Sequence, residues 1–285
     1  MSKRKTPPSS ARILSQWVDV YARGHGLPPK RIRDWISYMV LSGHLTIENP
    51  DILRPRFTLK GAVALEMRLP FKARATRDID LVVEDSDEND PVSILRKALE
   101  GDYQGFTFRV KGEVYVMPNN AVRASVTLDY HNRSWGTVQV DLSSREGAHT
   151  EIEFVDPLPL EPFGLVSPDP LPCLSIRYHI AQKIHAMTAP PFEPGTPNER
   201  FRDLVDILLM KALAGDLGEI KDACEHVFSI RGIHEWPPAF EPPEFWKEPF
   251  AVLAEELNLP VRNLADAVRE VQAFITEVDA TLTTD

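Results

Sequence analysis

Helical spacing of hydrophobic residues opens the chain, over residues 11–46. Apolar side chains recur there every three or four positions: Ile13, Trp17, Val20 and Tyr21, then Ile32, Trp35, Ile36, Met39 and Val40. The sequence GHGLPP at 24–29 interrupts this spacing, because glycine and proline break helices. The pattern predicts two helices that pack on a larger body.

Strand patterns dominate the next part of the chain. The sequence RFTLKGAVALEMRL predicts a short strand through Leu59, a glycine and an apolar helix, and DIDLVV predicts a second strand after Pro70. Further strands are predicted in FTFRVKGEVYV, SVTLDYH and TVQVDLSS. Residues 84–90, EDSDEND, predict an acidic loop or the N-terminus of a helix.

Helical spacing returns from Leu174 onward. Its two stripes are Ile176, Ile180, Ile184 and Met187, then Phe201, Leu204, Val205, Leu208 and Leu209. Proline-rich sequences at 189–197 and 237–249 predict connectors, and a last amphipathic helix is predicted from Val261 to Leu282. The fold class is therefore α/β (α+β). We expect three segments: a basic helical segment over 1–46, a mixed core over 47–165 and a helical C-terminal domain over 166–285.

Bulk composition indicates a globular protein of the reducing cytoplasm with no membrane span. The chain has 285 residues, 43% hydrophobic and 26% charged. No window approaches the roughly 20 consecutive apolar residues of a transmembrane helix, and the basic N-terminus lacks the apolar stretch of a secretory signal. Cys173 and Cys224 are too few and too isolated for a disulfide framework or a zinc site.

Charge is distributed unevenly along the chain. The net charge of −10 argues against a protein that coats nucleic acid through charge alone. Residues 1–34 nevertheless carry +6, which leaves −16 for the remainder. The basic side chains of this segment are Lys3, Arg4, Lys5, Arg12, Arg23, Lys30, Arg31 and Arg33. The segment is either a solvated arm or an electrostatic handle for an anionic partner.

Two aspartates, Asp78 and Asp80, stand at the start of the DIDLVV strand. Side chains at i and i+2 point to the same face of a strand. The two carboxylates therefore repel each other unless a cation lies between them. The pair predicts either a solvated strand end or a metal clamp.

A third carboxylate belongs to the predicted strand TVQVDL, where Asp141 shares a polar face with Thr137 and Gln139. If this strand neighbours DIDLVV, three carboxylates converge. Mg²⁺ binds a few carboxylates and leaves its other positions to water and phosphate oxygens. A third carboxylate can also accept a proton from an attacking hydroxyl.

A turn at LKG, residues 59–61, is suited to an anion. Gly61 lets backbone N–H groups approach closely, and a helix N-terminus favours phosphate. Strand–glycine–helix turns are common, however, and the chain has no GxxxxGK[ST], so a P-loop enzyme is not indicated.

Charged residues accompany the two helical stripes of the C-terminal part. Lys183 lies beside the first stripe, one turn after His179, and is equally compatible with an exposed surface position. Asp203 and Asp206 share a face of the second helix, where aspartates near the N-terminus are favourable on their own account. Taken together, these residues predict a metal clamp and basic groups for a triphosphate.

Five stretches, in order, resemble the AbiEii/AbiGii nucleotidyltransferase toxins, and among them the MenT-type toxins of mycobacterial toxin–antitoxin modules. They are TLKGAVALEMRL, TRDIDLVV, VQVDLSS, IAQKIHAMTAP and NERFRDLVDILL, and EWPP at 235–238 also fits that subgroup. The resemblance covers residues 30–280. It implies a polymerase-β-like nucleotidyltransferase core with a mixed sheet, followed by a helical domain.

The resemblance also implies roles for single residues. The metal-binding carboxylates fall on Asp78, Asp80 and Asp141, and the catalytic set adds Lys183 and Asp206. The nucleotide-binding positions fall on Lys60, Gly61, Thr76, Lys183, Arg200, Arg202 and Asp203. Thr76 stands where the family usually has serine and is a candidate for regulatory phosphorylation. Two positions depart from the family's pattern, because Ala62 replaces its second glycine and Asp141 stands where the subgroup can carry Glu.

The activity that this resemblance implies is Mg²⁺-dependent transfer of nucleotides from an NTP to the 3′ CCA end of tRNA, which would block aminoacylation and translation. The expected partners are tRNA, NTP and a cognate antitoxin. Three alternatives stay open: transfer to a protein hydroxyl, an inactive nucleotidyltransferase-fold regulator, and an antitoxin-like DNA binder that uses residues 1–46.

Overall fold

The computed structural model describes residues 6–47, 55–84, 90–117, 120–144, 151–191 and 196–282. The chain divides into two compact units. The first comprises Met1–Pro70, Ala75–Arg145 and Ile152–Cys173, and the second comprises Phe71–Arg74, Glu146–Glu151 and Leu174–Asp285. Most of the acidic stretch at 84–90, together with Lys3, Arg4 and Lys5, lies outside the described residues.

Two helices open the first unit, as the hydrophobic spacing predicts. Helix α1 spans Ala11–His25, begins at the N-cap Ser10 and ends at Gly26, whose φ of 65° suits glycine. Helix α2 spans Pro29–Ile47 and is buried continuously from Trp35 to Leu45. The two helices pack against each other.

A mixed sheet forms the body of the first unit. Its strands are β1 (Phe57–Lys60), β2 (Asp78–Val83), β3 (Phe106–Val116), β4 (Val122–Tyr130), β5 (Arg133–Ser144), β6 (Ile152–Val155) and β7 (Leu171–Leu174). Within the described residues the sheet has seven strands in the order β3-β4-β5-β2-β1-β7-β6. Strand β2 runs antiparallel to β1 and parallel to β5. The first five strands confirm the predicted ones; β6 and β7 were not predicted.

Two further helices belong to the first unit. Helix α3 (Gly61–Arg68) follows β1 directly, as predicted. Helix α4 (Pro91–Ala98) begins at the N-cap Asp90, whose side chain accepts a hydrogen bond from the backbone N–H of Ser93. The last residue of the acidic stretch therefore starts a helix.

The second unit is helical. Its helices are α5 (Ile176–Thr188), α6 (Phe201–Met210), α7 (Leu217–Arg231), α8 (Lys247–Glu256) and α9 (Leu264–Ala280). Helices α5, α6 and α9 confirm the predicted ones. Helix α7 was not predicted, and α8 begins inside the proline-rich stretch that was predicted as a connector. Its proline, Pro249, lies in the first turn, where proline is tolerated.

The sequence predicts no membrane-spanning helix. In the part of the chain that the structure describes, no helix is both long and apolar enough to cross a bilayer.

Candidate active site

A row of charged residues crosses the sheet of the first unit at one register position. Asp80 in β2 pairs with Asp141 in β5 on one side and with Lys60 in β1 on the other, and Asp141 pairs in turn with Arg123 in β4. Directly opposite residues project from the same face of a sheet. Two aspartates are thus flanked by a lysine and an arginine, and Asp78 lies two residues before Asp80 on the same face.

Arg123 binds two of these carboxylates. Its Nε lies 2.7 Å from Oδ1 of Asp141 and its Nη2 lies 2.6 Å from Oδ2 of Asp141, which makes a bidentate pair. Nη2 also lies 3.5 Å from Oδ2 of Asp78. Hydrogen bonding to Asp141 raises the pKa of Arg123 above its ordinary value, so the guanidinium stays charged.

Sequence reasoning missed Arg123. Strand alternation puts it on the polar face of β4 with Ser125 and Thr127, which is a signal that it shares with many solvated strands. Its importance follows from the cross-strand register that sets it opposite Asp141. The tight turn at His131 and Asn132 sets Tyr130 opposite Arg133, but a register shift between Leu128 and Asp129 then moves the pairing by one residue and brings Arg123 opposite Asp141. Strand alternation does not reveal that shift.

The turn between β1 and α3 depends on Gly61. Its φ is 64°, a left-handed conformation that glycine adopts without strain. A β-carbon at this position would also lie 1.9 Å from Oδ2 of Asp80. Ala62, which replaces the family's second glycine, is a buried helical residue of α3. The close approach of backbone to carboxylate therefore requires one glycine here.

Thr76 lies before β2 rather than within it, because the strand begins at Asp78. The hydroxyl nevertheless donates a hydrogen bond to Oδ1 of Asp78 at 2.6 Å. Tyr38 donates to the backbone carbonyl of Thr76 at 3.0 Å, and burial raises the pKa of Tyr38 and keeps it protonated.

A second charged cluster lies in the second unit, around Lys183. Its Nζ lies 2.6 Å from Oδ1 of Asp203 and 2.7 Å from Oδ2 of Asp206. Arg74 donates to both oxygens of Asp206 at 3.2–3.3 Å. Burial by itself would lower the pKa of Lys183. The charges of Asp203 and Asp206 more than offset this effect, so the pKa lies above its ordinary value.

This cluster rules out one of the two interpretations of Lys183, and it includes an arginine that the sequence analysis did not single out. The alternative that Lys183 is an exposed surface residue is wrong, because its side chain is only 9% exposed and holds two aspartates. Arg74 was not predicted. It is one of three basic residues between α3 and β2, with Lys72 and Arg77, and neither hydrophobic spacing nor a motif points to its contact with Asp206.

The two predicted phosphate-binding arginines of the second unit are exposed. Nη1 of Arg200 lies 3.6 Å from Oδ2 of Asp203. The guanidinium of Arg202 lies 4.9 Å from the centre of the Phe201 ring, a cation–π contact. Both side chains are therefore accessible to an anionic ligand.

The carboxylates of the first unit fit Mg²⁺ in their chemistry, because this ion prefers oxygen ligands. A guanidinium already lies among them as a cation, bound to Asp141 and close to Asp78. Over the described ranges, however, no group of three His, Cys, Asp or Glu side chains is arranged to hold a metal ion. The predicted set of Asp78, Asp80 and Asp141 stays a prediction, with Asp141 bound to Arg123.

Comparison with solved structures identifies the fold. The nucleotidyltransferase toxin MenT4 from Mycobacterium tuberculosis H37Rv matches with a TM-score of 0.62 and 14% sequence identity, over 96% of this chain and 91% of that one. Two structures of the antibiotic-resistance factor ANT(2'')-Ia match less well. The solution structure matches with a TM-score of 0.38 and 14% sequence identity, over 69% of this chain and 94% of that one. The complex with adenylyl-2''-tobramycin matches with a TM-score of 0.35 and 16% sequence identity, over 69% of this chain and 95% of that one. The fold is that of a nucleotidyltransferase.

Comparison with protein families gives the assignment. The family model described as "Nucleotidyl transferase AbiEii toxin, Type IV TA system" matches residues 48–282. This chain belongs to that family, which confirms the resemblance and the fold predicted from the five sequence stretches. None of the curated proteins matches the chain significantly in sequence.

Proposed function

We propose that this toxin transfers nucleotides from an NTP to the 3′ CCA end of tRNA in a Mg²⁺-dependent reaction in the cytoplasm. A tRNA extended at that end can no longer be aminoacylated, so translation stops. One observation carries the nucleotide-transfer part of the proposal: Asp78 and Asp80 share a strand face, and the Gly61 turn approaches Asp80 at the N-terminus of a helix. The tRNA acceptor is what the resemblance to MenT-type toxins implies.

Asp78 and Asp80 are the residues that would hold Mg²⁺, with Asp141 as the supporting third carboxylate. When bound, the ion supplies positive charge to the triphosphate and the leaving pyrophosphate. The N-terminus of α3 offers backbone N–H groups to phosphate oxygens, because the first N–H groups of a helix have no partner within it. Thr76 holds one oxygen of Asp78 through its hydroxyl and so limits the rotation of that carboxylate.

Lys183 is proposed to contribute positive charge to the phosphates, together with Arg200 or Arg202. Asp203 and Asp206 fix its ammonium group at 2.6 and 2.7 Å. Asp206 thus acts by holding Lys183. The AbiEii family also implies an NTP as substrate and a cognate antitoxin as partner.

The basic N-terminal segment has fewer basic side chains available to bind RNA than its net charge indicates. Three of its basic residues have partners within the first unit: Lys30 with Asp34, Arg31 with Glu66, and Arg33 with Ser15 and the ring of Trp135. Arg12 and Arg23 are exposed on α1. We therefore propose that tRNA contacts in this segment involve the exposed basic residues of α1.

The experiment that tests the proposal uses purified toxin, total tRNA, Mg²⁺ and each labelled NTP in turn. Label is expected in tRNA, and none with the Asp80→Asn variant, with EDTA, or with tRNA that lacks its CCA end. Label on a protein would establish the protein-hydroxyl alternative instead. No transfer to any acceptor would leave the inactive regulator as the function.

A further inference from the structure

We propose that Arg123 is a positioning residue that holds the carboxylates of the first unit in the metal-free protein and yields Asp78 when the metal ion binds. The proposal rests on the proposed function, since it takes Asp78 as a metal ligand. It adds a residue that no motif of the family points to in this sequence, and it gives Asp141 a role other than direct metal binding.

The two contacts of Arg123 are unequal. The Asp141 carboxylate is only 11% exposed and accepts two hydrogen bonds, at 2.7 and 2.6 Å. Asp78 is 35% exposed and lies 3.5 Å from the same Nη2, which is at the limit of a hydrogen bond. Arg123 is therefore anchored on Asp141, and its contact with Asp78 is the one that a competing cation can displace.

The charges on the sheet explain why such a contact is needed. Asp78, Asp80 and Asp141 project from one face of two neighbouring strands, where their like charges repel. A guanidinium that spans Asp141 and Asp78 reduces that repulsion. The fork geometry of arginine also fixes its orientation on Asp141, which a lysine ammonium cannot do.

A cation that neutralises Asp78 competes with any second cation for the same oxygens. Metal binding must therefore displace Nη2 of Arg123, and part of the affinity for the metal is lost in doing so. Removal of the guanidinium is expected to tighten the binding of free metal by about threefold, the order of one exposed ionic contact. A residue that merely supports the fold would leave this affinity unchanged or weaken it.

The test is a titration of the nucleotide-free protein with Mn²⁺ as the probe, followed by electron paramagnetic resonance of the unbound ion. Wild type, Arg123→Gln and Arg109→Gln are compared. Arg109 is the matched control, because it pairs with Asp129 at 2.7 Å on the same sheet and its loss changes the charge equally. Tighter binding in Arg123→Gln alone supports the proposal, and equal or weaker binding overturns it.

Thermal unfolding gives a second readout on the same samples. Without metal, Arg123→Gln is expected to melt below wild type, because Asp141 and Asp78 lose their cation. Added Mn²⁺ is expected to raise its Tm by more than it raises the Tm of wild type. An equal or smaller rise contradicts the proposal.

Two variants keep the outcome interpretable. Arg123→Lys replaces Arg123→Gln if the latter does not fold. It keeps a cation for Asp141 without the second arm that reaches Asp78, so tighter Mn²⁺ binding than wild type is expected again, and unchanged binding overturns the proposal. Asp78→Asn is expected to weaken Mn²⁺ binding. If wild type binds no Mn²⁺, the metal clamp of the proposed function fails and this proposal fails with it, whereas binding that Arg123 does not affect overturns this proposal alone.

Discussion

A β-carbon on Gly61 would lie 1.9 Å from Oδ2 of Asp80 and 2.7 Å from its Cγ. The strand that carries the aspartate and the turn that starts α3 therefore meet without room for a side chain. This close approach couples the position of the carboxylate to the backbone of the proposed phosphate site.

Gly61→Ala is the first prediction. The φ of 64° costs a non-glycine residue about 1 kcal/mol or more, and the new methyl group must also push the Asp80 carboxylate aside. We expect a lower Tm and nucleotide transfer reduced to background in the tRNA assay.

Gly112→Ala is the matched control for this prediction. Gly112 has a φ of 74°, but nothing lies within 4 Å of a β-carbon built there. It is expected to lose similar stability and to keep its activity. Equal activity losses in the two variants would show that backbone strain, and not the Asp80 contact, matters at Gly61.

The second prediction concerns the metal clamp. Asp80→Asn and Asp78→Asn are each expected to lower transfer by at least about 100-fold, the order of removing one group that stabilises developing charge. Both should stay folded, since they relieve repulsion between carboxylates. Asp129→Asn, which removes an aspartate paired with Arg109 on the same sheet, is the control and should retain activity. Near-normal transfer by either clamp variant at saturating Mg²⁺ would contradict the assignment.

The third prediction concerns the buried cluster around Lys183. Lys183→Met leaves Asp203 without its ammonium partner in a buried site, and breaking a buried ion pair costs about 3–5 kcal/mol of unfolding free energy. Lys211→Met removes a lysine that is 35% exposed beside Glu270 and should cost no more than about 0.5 kcal/mol. Urea denaturation of both variants gives the comparison, and equal midpoints would count against the structural role.

Kinetics then separate this role from catalysis. At a temperature at which Lys183→Met is fully folded, we expect a lower kcat, because charge builds on the phosphates during transfer. An unchanged kcat would restrict Lys183 to holding the second unit together.

The fourth prediction concerns regulation at Thr76. Its hydroxyl donates to Asp78 at 2.6 Å, so a phosphate there would replace a donor by roughly −1.5 to −2 charges beside the aspartates. Thr76→Ser should preserve transfer and Thr76→Glu should abolish it. Intact-mass spectrometry after coexpression with the cognate antitoxin tests the modification itself. A fully inhibited toxin of unmodified mass would point to neutralisation by binding.

The fifth prediction is a pH dependence set by His185 in α5. Burial lowers its pKa to about 4, and the charges of Arg231 and His234 add to this effect. The unfolded chain binds that proton near pH 6.5, so it carries more protons than the folded chain between these values. Stability is therefore lost as the pH falls from about 6.5 to about 4. As the pH falls over this range, the urea midpoint of His185→Gln should fall less than that of wild type. Above pH 7 the midpoints of the two proteins should change with pH in the same way.

Long periodic stretches of this chain were predictable. Helices α1, α2 and α5 each repeat an apolar stripe over several turns, and β1 to β5 each have a clear boundary or alternation. The short strand β7 has four residues, all buried, and its Cys173 pairs with Leu59 of β1, far away in sequence. Nothing local marks such a partner.

The candidate site was predictable to the extent that spacing within single elements defines it. The shared face of Asp78 and Asp80 follows from strand alternation. The contacts of Arg123 with Asp141 and of Arg74 with Asp206 join residues 18 and 132 positions apart. The first pair depends on a register shift between Leu128 and Asp129 in the β4–β5 hairpin, which strand alternation does not reveal. The second pair depends on the path of the chain over a long sequence distance, which no local pattern encodes.

The four residues Phe71–Arg74 belong to the second unit although the chain on both sides of them belongs to the first. A recombination event between two related toxin genes, with a single crossover near residue 174, would therefore inherit Asp206 from one parent and its arginine from the other. Such a chimera keeps the ion pair only if the parent of its N-terminal part carries arginine at position 74 and the parent of its C-terminal part carries aspartate at position 206. The C-terminal half is thus not an independent cassette, and an exchange of that half has to include a second, much shorter stretch of the gene.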